Sequence, residues 1–179
     1  MESLYFVKIC SEYANYLKKY EDKIREKGNR PYIGILLKVD GKCYVAPLSS
    51  PKEKYEKMKE DIDIFKIKKG KLGVINFNNM VPVYLDKKYL NRINLKKLRK
   101  IRNEKDRKYF FLLKEQLKIC NENREKILKK AEKLYEIFTK DEMNITRRQK
   151  FIKNRVVNFK LLEKLCDEYV NYLKLLEIR

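Results

Sequence analysis

The sequence predicts an α+β protein, with strands concentrated in its first half and helices in its second. Three observations carry this. Every glycine and proline lies before residue 87, where short apolar runs alternate with turn residues. From residue 87 onward there is neither, and apolar side chains recur at helical spacing. Asp40-Gly41 divides two apolar runs and is the clearest hairpin signal in the chain. The 179 residues suit a single unit, residues 1–179, with 1–86 as a mainly β core with short helices and 87–179 as a helical extension.

Taken in order, Leu4 to Ile9 reads as a strand. Ser11 reads as an N-cap, and Tyr13, Ala14, Tyr16, Leu17 and Tyr20 share one helical face. Gly28-Asn29-Arg30 is a loop. A two-residue turn at Asp40-Gly41 sets Val39 opposite Lys42, Leu37 opposite Tyr44, Ile33 opposite Leu48 and Tyr32 opposite Ser49, unless a bulge shifts the pairing by one. The open end of this hairpin brings Arg30 beside Ser49, Ser50 and Lys52. Both strands are apolar on both faces, which places them centrally in a covered sheet or barrel. A helix is expected from 51 to about 60, then strands at Ile64–Ile67, Lys71–Asn76 and Met80–Tyr84, with a turn at Asn78-Asn79. Helices are expected at about 87–102 and 105–138, the second with Phe110, Leu113, Leu117, Ile127, Leu134 and Ile137 among its apolar positions. Residues 139–156 read as a basic linker or short helix. A last amphipathic helix starts near Asn158, with Leu161, Leu162, Leu165, Cys166, Tyr169 and Leu173 on one face.

Charge narrows the function. Lys plus Arg is 45 against 25 for Asp plus Glu, a formal net charge of +20. A domain this basic repels itself, and the usual reason is a polyanionic partner, most often nucleic acid. A coding bias toward lysine is the competing explanation. There is no histidine, which removes imidazole acid–base chemistry and Cys/His zinc sites, and no cofactor or metal is expected. Cys10, Cys43, Cys120 and Cys166 form no CxxC pair and read as reduced thiols in a cytoplasm. MESLYFVKIC does not resemble a secretory leader. No apolar run approaches the ~18 residues of a membrane span, so no membrane partner is expected.

The stretch PLSSPK, residues 47–52, follows the second hairpin strand. Ser50-Pro51-Lys52-Glu53 matches a capping box, with Ser50 at the N-cap and Glu53 three residues on. Lys52 and Lys54 in a first turn oppose the helix dipole, and Ser49 is a second hydroxyl that the cap does not need. Two hydroxyls, a lysine and a neighbouring Arg30 at a helix start can instead hold a phosphate.

With this stretch, the opening strand into SEYANYLKKYEDKI, the run PYIGILLKVDGKCYVAPLSSPK, the run KLGVINFNNMVPV and a tail ending in NFKLLEKLCDEY, the chain resembles the ToxN/AbiQ family of type III toxin–antitoxin endoribonucleases. The similarity is densest over residues 4 to 84. It implies a compact, strongly bent antiparallel β-barrel of the MazF/Kid-like toxin type with added helices and a helical C-terminal half. It also implies metal-independent RNA cleavage leaving a 2′,3′-cyclic phosphate, with cellular and phage RNA as substrates. The implied inhibitor is a small, repeated, pseudoknotted antitoxin RNA that the toxin also processes, held in a closed assembly of several toxin and RNA copies. Phage defence by abortive infection, or plasmid-like maintenance, is the implied role. By the same resemblance Ser49, Ser50 and Lys52 take the family's active-site positions, Arg30 a basic position before the hairpin, and Tyr13 the tyrosine of the first helix. Serine stands at Ser49 where relatives carry Thr, and arginine at Arg30 where they can carry Lys.

Those residue types can perform the reaction without histidine. In-line attack of a 2′-oxygen on phosphorus needs its proton removed, charge held on the crowded phosphorane and a proton given to the leaving 5′-oxygen. Ser50 and Lys52 would serve the attack and the transition state, Ser49 would orient, and Arg30 would clamp phosphate. Tyr13 lies on an apolar stripe, where packing alone also explains it. Cys10 reads as a core thiol rather than a nucleophile. Lys96, Lys97, Arg99, Lys100 and Arg102, and Arg147, Arg148, Lys150, Lys153 and Arg155, form two basic clusters that fit RNA binding or a plain solvated face. A non-catalytic RNA-binding protein explains the charge as well, though not lysines in a first helical turn. A DNA-binding regulator lacks a helix-turn-helix signature.

Overall fold

The computed structural model describes residues 3–24, 30–98, 103–139 and 145–177. Among these residues eight strands form one antiparallel sheet: β1 (Tyr5–Ile9), β2 (Tyr32–Gly34), β3 (Lys38–Val39), β4 (Lys42–Ser49), β5 (Ile64–Lys66), β6 (Val74–Asn76), β7 (Val81–Val83) and β8 (Leu90–Arg92). The α-helices that accompany them are α1 (Ser11–Lys18), α2 (Glu53–Lys57), α3 (Leu95–Leu98), α4 (Glu104–Glu122), α5 (Arg124–Thr139), α6 (Arg147–Arg155) and α7 (Phe159–Glu177).

β4 is the centre of the sheet. Along one edge it pairs with β3 and β2, and along the other with β7 and then β6. Pro47, which has no N–H to offer, sits where that second edge passes from Val81, opposite Val45, to Ile75, opposite Leu48. Among the described residues the sheet path runs β5-β6-β4-β2-β1-β8 and is not closed, so the expectation is met as a mixed α and antiparallel β fold but not as a closed barrel.

The hairpin turn is as expected: Asp40 and Gly41 both have positive φ, at 47° and 77°, the geometry that matches strand twist in a two-residue turn. Val39 faces Lys42, but Ile33 faces Ala46 and Tyr32 faces Pro47. The expected register is therefore wrong by two residues beyond the turn. The extra residues lie between Gly34 and Lys38, where Tyr44 receives from the Leu36 amide and donates to the Leu37 carbonyl. Such a bulge buries Leu36 and bends the strand.

Two further expectations change. Residues 87–102 do not form one helix. Leu90–Arg92 instead pairs with β1, Cys10 donates to the Tyr89 carbonyl and Ile93 to the Phe6 carbonyl. An open strand edge offers ladder bonds that outweigh local helix propensity. The long helix expected from 105 to 138 divides at Asn123, whose side chain turns back to the Ile119 carbonyl and competes with the helical ladder. α6 begins at Thr146 with the reciprocal Thr146–Gln149 capping box. Asn158 caps α7 by accepting from the Leu161 amide at 3.1 Å.

α7 ties the two halves together. Lys42 pairs with Asp167 at 2.9 Å, Tyr84 donates to Asp167 at 2.6 Å, and Tyr44 and Tyr135 both donate to Glu163 at 2.7 Å. The rings of Tyr13, Tyr89 and Tyr169 pack mutually at 4.8–5.3 Å, at geometries worth ~0.5–1.5 kcal/mol per pair beyond the area they bury. No described helix is long and apolar enough to cross a membrane.

Candidate active site

The C-terminal end of β4 delivers Leu48 and Ser49 to the surface, and the residue before Pro31 and β2 delivers Arg30. Leu48 donates its amide to the Pro31 carbonyl at 2.9 Å. Arg30 donates from Nε to the Leu48 carbonyl at 2.8 Å and from Nη2 to Ser49 Oγ at 2.8 Å. Asn76, at the end of β6, donates to the same Ser49 Oγ at 2.9 Å. A hydroxyl oxygen that accepts two bonds has used its lone pairs, so its own hydrogen is left to donate outward.

Ser49 and Arg30 are partly exposed, and Ser50 and Lys52 are exposed. All four line a cleft of about 330 Å³ whose other wall includes Tyr109 and Gln116 of α4. A second cleft of about 590 Å³ shares Arg30, Ser49 and Lys52 and adds Lys23, Lys54 and Asn76. The trio is thus common to both depressions. Among the described residues neither is lined by a carboxylate, so the site suits an anion and offers no acidic set for a cation. Among the described residues, too, no three His, Cys, Asp or Glu side chains come together as metal ligands.

The expected capping box at Ser50 is not formed. α2 starts at Glu53, with Lys52 as its N-cap in an extended conformation and no side-chain cap. Lys52 is extended, at φ −151° and ψ 139°, so the chain does not turn into a helix directly after Ser50 and the helix begins late. Lys52 therefore precedes the first turn, and Ser50 is released from the capping role.

Tyr13 is not brought to this cleft. It is fully buried, donates to the Pro82 carbonyl at 2.8 Å, and its burial pushes the hydroxyl well above its usual range. Cys10 donates to Glu12 at 2.7 Å; burial and that bond raise its thiol, the opposite of activation. Of the basic clusters, Arg99, Lys100 and Arg102 lie outside the described residues, as does the side chain of Lys97, and Lys96 is exposed. In the second cluster Arg155 binds Asp63 at 2.8 Å and Arg148 binds Asp61 at 3.1 Å, so these two fasten α6 to the loop before β5. Arg147 and Lys150 are exposed, and Lys153 lies over the Phe138 ring.

Asn76, Tyr109 and Gln116 are site residues that the sequence reading does not single out. A polar residue closing the apolar strand Val74–Asn76 is a usable signal for Asn76. Nothing in the sequence of α4 marks Tyr109 and Gln116 as facing PLSSPK.

An α+β fold with a basic cleft at a strand end, lined by no carboxylate among the described residues and fixed by a doubly bonded serine, is suited to binding phosphate groups. Residues 5–167 match the family described as "Toxin ToxN, type III toxin-antitoxin system", and the chain belongs to that family. It is 30% identical to the Endoribonuclease ToxN of Bacillus thuringiensis subsp. kurstaki, over 92% of this chain and 83% of that one. A solved bacterial type III toxin, selectively inhibited by a non-coding RNA pseudoknot, superposes with a TM-score of 0.77 at 28% identity, covering 94% of this chain and 98% of that one. AbiQ, a lactococcal anti-phage endoribonuclease, gives 0.73 at 25% identity, covering 95% and 99%.

Proposed function

We propose that this protein is the endoribonuclease toxin of a type III toxin–antitoxin system. The observation that carries the reading is the Arg30–Ser49–Asn76 hydrogen-bond set beside Lys52, in a cleft that no described carboxylate lines, in a chain of the ToxN family. In the reaction a 2′-oxygen forms a bond to phosphorus as the bond to the 5′-oxygen breaks. The proton lost by the 2′-hydroxyl is in effect given to the leaving 5′-oxygen, leaving a 2′,3′-cyclic phosphate and a 5′-hydroxyl. Ser49 donates its remaining hydrogen to a non-bridging phosphate oxygen. Arg30 sets a fixed positive charge against Ser49, and Lys52 brings a mobile one over the phosphorane. Ser50, free of capping, lies within the same cleft for proton relay. Tyr13 acts through packing, by holding β7 against α7.

In this reading the substrates are cellular and phage RNA in the cytoplasm. Control comes from a repeated, pseudoknotted antitoxin RNA that the protein processes and with which it forms a closed assembly of several copies of each. The anti-phage activity of AbiQ and the pseudoknot inhibition of the related toxin support this reading. The bent, open sheet is proposed to be kin to the MazF/Kid-type toxins. The test is a short RNA with one cleavable linkage: the 5′ product should carry a cyclic phosphate by mass spectrometry, and a 2′-deoxy residue at the cut should block cleavage. A 3′-hydroxyl product would overturn the mechanism.

A further inference from the structure

Gln116 sits in the wall of the first cleft and is only 2% exposed. Its Nε2 donates to the Leu72 carbonyl at 2.7 Å, and this anchor fixes which way the amide faces. Its carbonyl oxygen takes no hydrogen bond from the described residues, yet is not sealed from solvent. An amide acceptor that no described residue satisfies and that solvent still reaches is open to water or to a ligand donor. About two helical turns earlier on α4, Tyr109 presents a 40% exposed ring to the same cleft. Burial of its hydroxyl raises that group, so the ring is neutral beside a phosphate site. At about 330 Å³ the cleft lies at the small end of cavities that enclose organic ligands.

An exposed tyrosine ring offers a base a stacking surface that does not depend on sequence. A lone acceptor at the cleft wall distinguishes bases, because it satisfies an exocyclic amino group and repels a keto oxygen in the same place. We propose that Tyr109 and Gln116 form a base-selecting subsite beside the scissile phosphate, with Tyr109 stacking on the base and Gln116 Oε1 accepting from its amino group. The subsite thus takes an amino-bearing base, adenine or cytosine, in preference to its deaminated counterpart. This rests on the ribonuclease reading above, and assigns to α4 the choice of cleavage site that β4 alone does not make.

The test uses the full chain and uncleavable 2′-deoxy hexanucleotides, in which each position in turn carries adenine or hypoxanthine, or cytosine or uracil. At one position the amino base should bind roughly three- to tenfold more tightly, the range of a single neutral hydrogen bond. Gln116→Met should collapse that ratio toward one. Tyr109→Leu should weaken binding of both members of the pair while the ratio persists. Wild-type protein that discriminates by less than twofold at every position overturns the subsite, as does a folded Gln116→Met variant that keeps the ratio. The wild-type arm decides even where a variant fails to fold. Cleavage of ordinary RNA by the same preparation is scored separately: cleavage without base discrimination defeats the subsite alone, and absence of cleavage defeats the ribonuclease reading.

Discussion

Gly73 lies flat against the backbone of Ser49: a Cβ there would stand 2.0 Å from the Ser49 carbonyl oxygen. Gly73 also has φ of +95°, a conformation that side chains disfavour. The residue beside it, Val74, is the strand partner of Ser49. Gly73→Ala should therefore push β4 and β6 apart at the cleft. We expect a stability loss of at least about 2 kcal/mol and a larger fractional loss of cleavage than of folded protein, read by thermal melting and single-turnover cleavage side by side. Cleavage that falls only in proportion to folded fraction would remove Gly73 from the positioning of Ser49.

Ser49→Ala, Arg30→Ala and Lys52→Ala should each lower single-turnover cleavage by about 100-fold or more, the scale of losing one charge-stabilising donor. Arg30→Lys should recover part of that, since a cation remains but the two-point grip on Leu48 and Ser49 does not. Ser50→Ala should leave stability within about 0.5 kcal/mol of wild type, because Ser50 caps no helix. A folded Lys52→Ala protein with full activity would sink the site assignment.

Cleavage should persist in EDTA at the rate seen in magnesium, apart from effects on RNA folding. No described carboxylate lines the clefts around Ser49, and a dication there would face Arg30 and Lys52. Activity abolished by EDTA and restored by one specific metal would contradict this.

Acid should unfold the protein through the helix contacts. Burial works to raise the Glu163 carboxyl, but bonds from Tyr135 and Tyr44 and the Lys160 ammonium outweigh it and hold the group below its usual range. Asp61 is likewise held down, against burial, by the Ile62 amide and by Arg148 and Arg155. A carboxylate depressed in the folded state contributes stability that is full above its unfolded value, about 4, and is lost as pH falls through its lower folded value. Melting temperature should thus be level near neutrality and drop below about pH 4.5, and Glu163→Gln should flatten part of that drop. An equal acid slope in the variant would exclude Glu163 as a contributor.

The basic face of α6 should separate by function. Arg155→Ala leaves Asp63, which is 1% exposed, without its partner and should cost about 1–3 kcal/mol of stability. Charge removal at Arg147 and Lys150 should instead weaken antitoxin RNA binding and lower its salt dependence, by about one unit of slope for each phosphate no longer neutralised. Binding titrations across a salt series check this; an unchanged slope would leave those residues as solvated surface.

Local sequence determined what local physics controls. Asp40-Gly41 can hardly be anything but a tight turn, because few residue pairs tolerate two positive φ values. The last helix follows from an apolar stripe of Leu162, Leu165, Cys166 and Tyr169, all buried. Arg30 beside Ser49 is legible too, although for a partly wrong reason: the register slips by two, yet both residues still lie at the same open end of the hairpin. What tertiary structure alone decided is wherever one segment had to meet a distant one. β8 exists because β1 had an unfilled edge. Ser50 does not cap, because Lys52 is extended and the helix starts only at Glu53, while Gly73 and Asn76 fix the strand end at Ser49. Tyr13 left the site because Tyr89 and Tyr169 pack on its ring and α7 covers it. Tyr109 and Gln116 entered the site because α4 packs against the Ile67–Gly70 turn and Gln116 bonds to Leu72, which sets both in the wall of the cleft at the end of β4, a meeting of segments far apart in the chain that no periodicity in either one encodes.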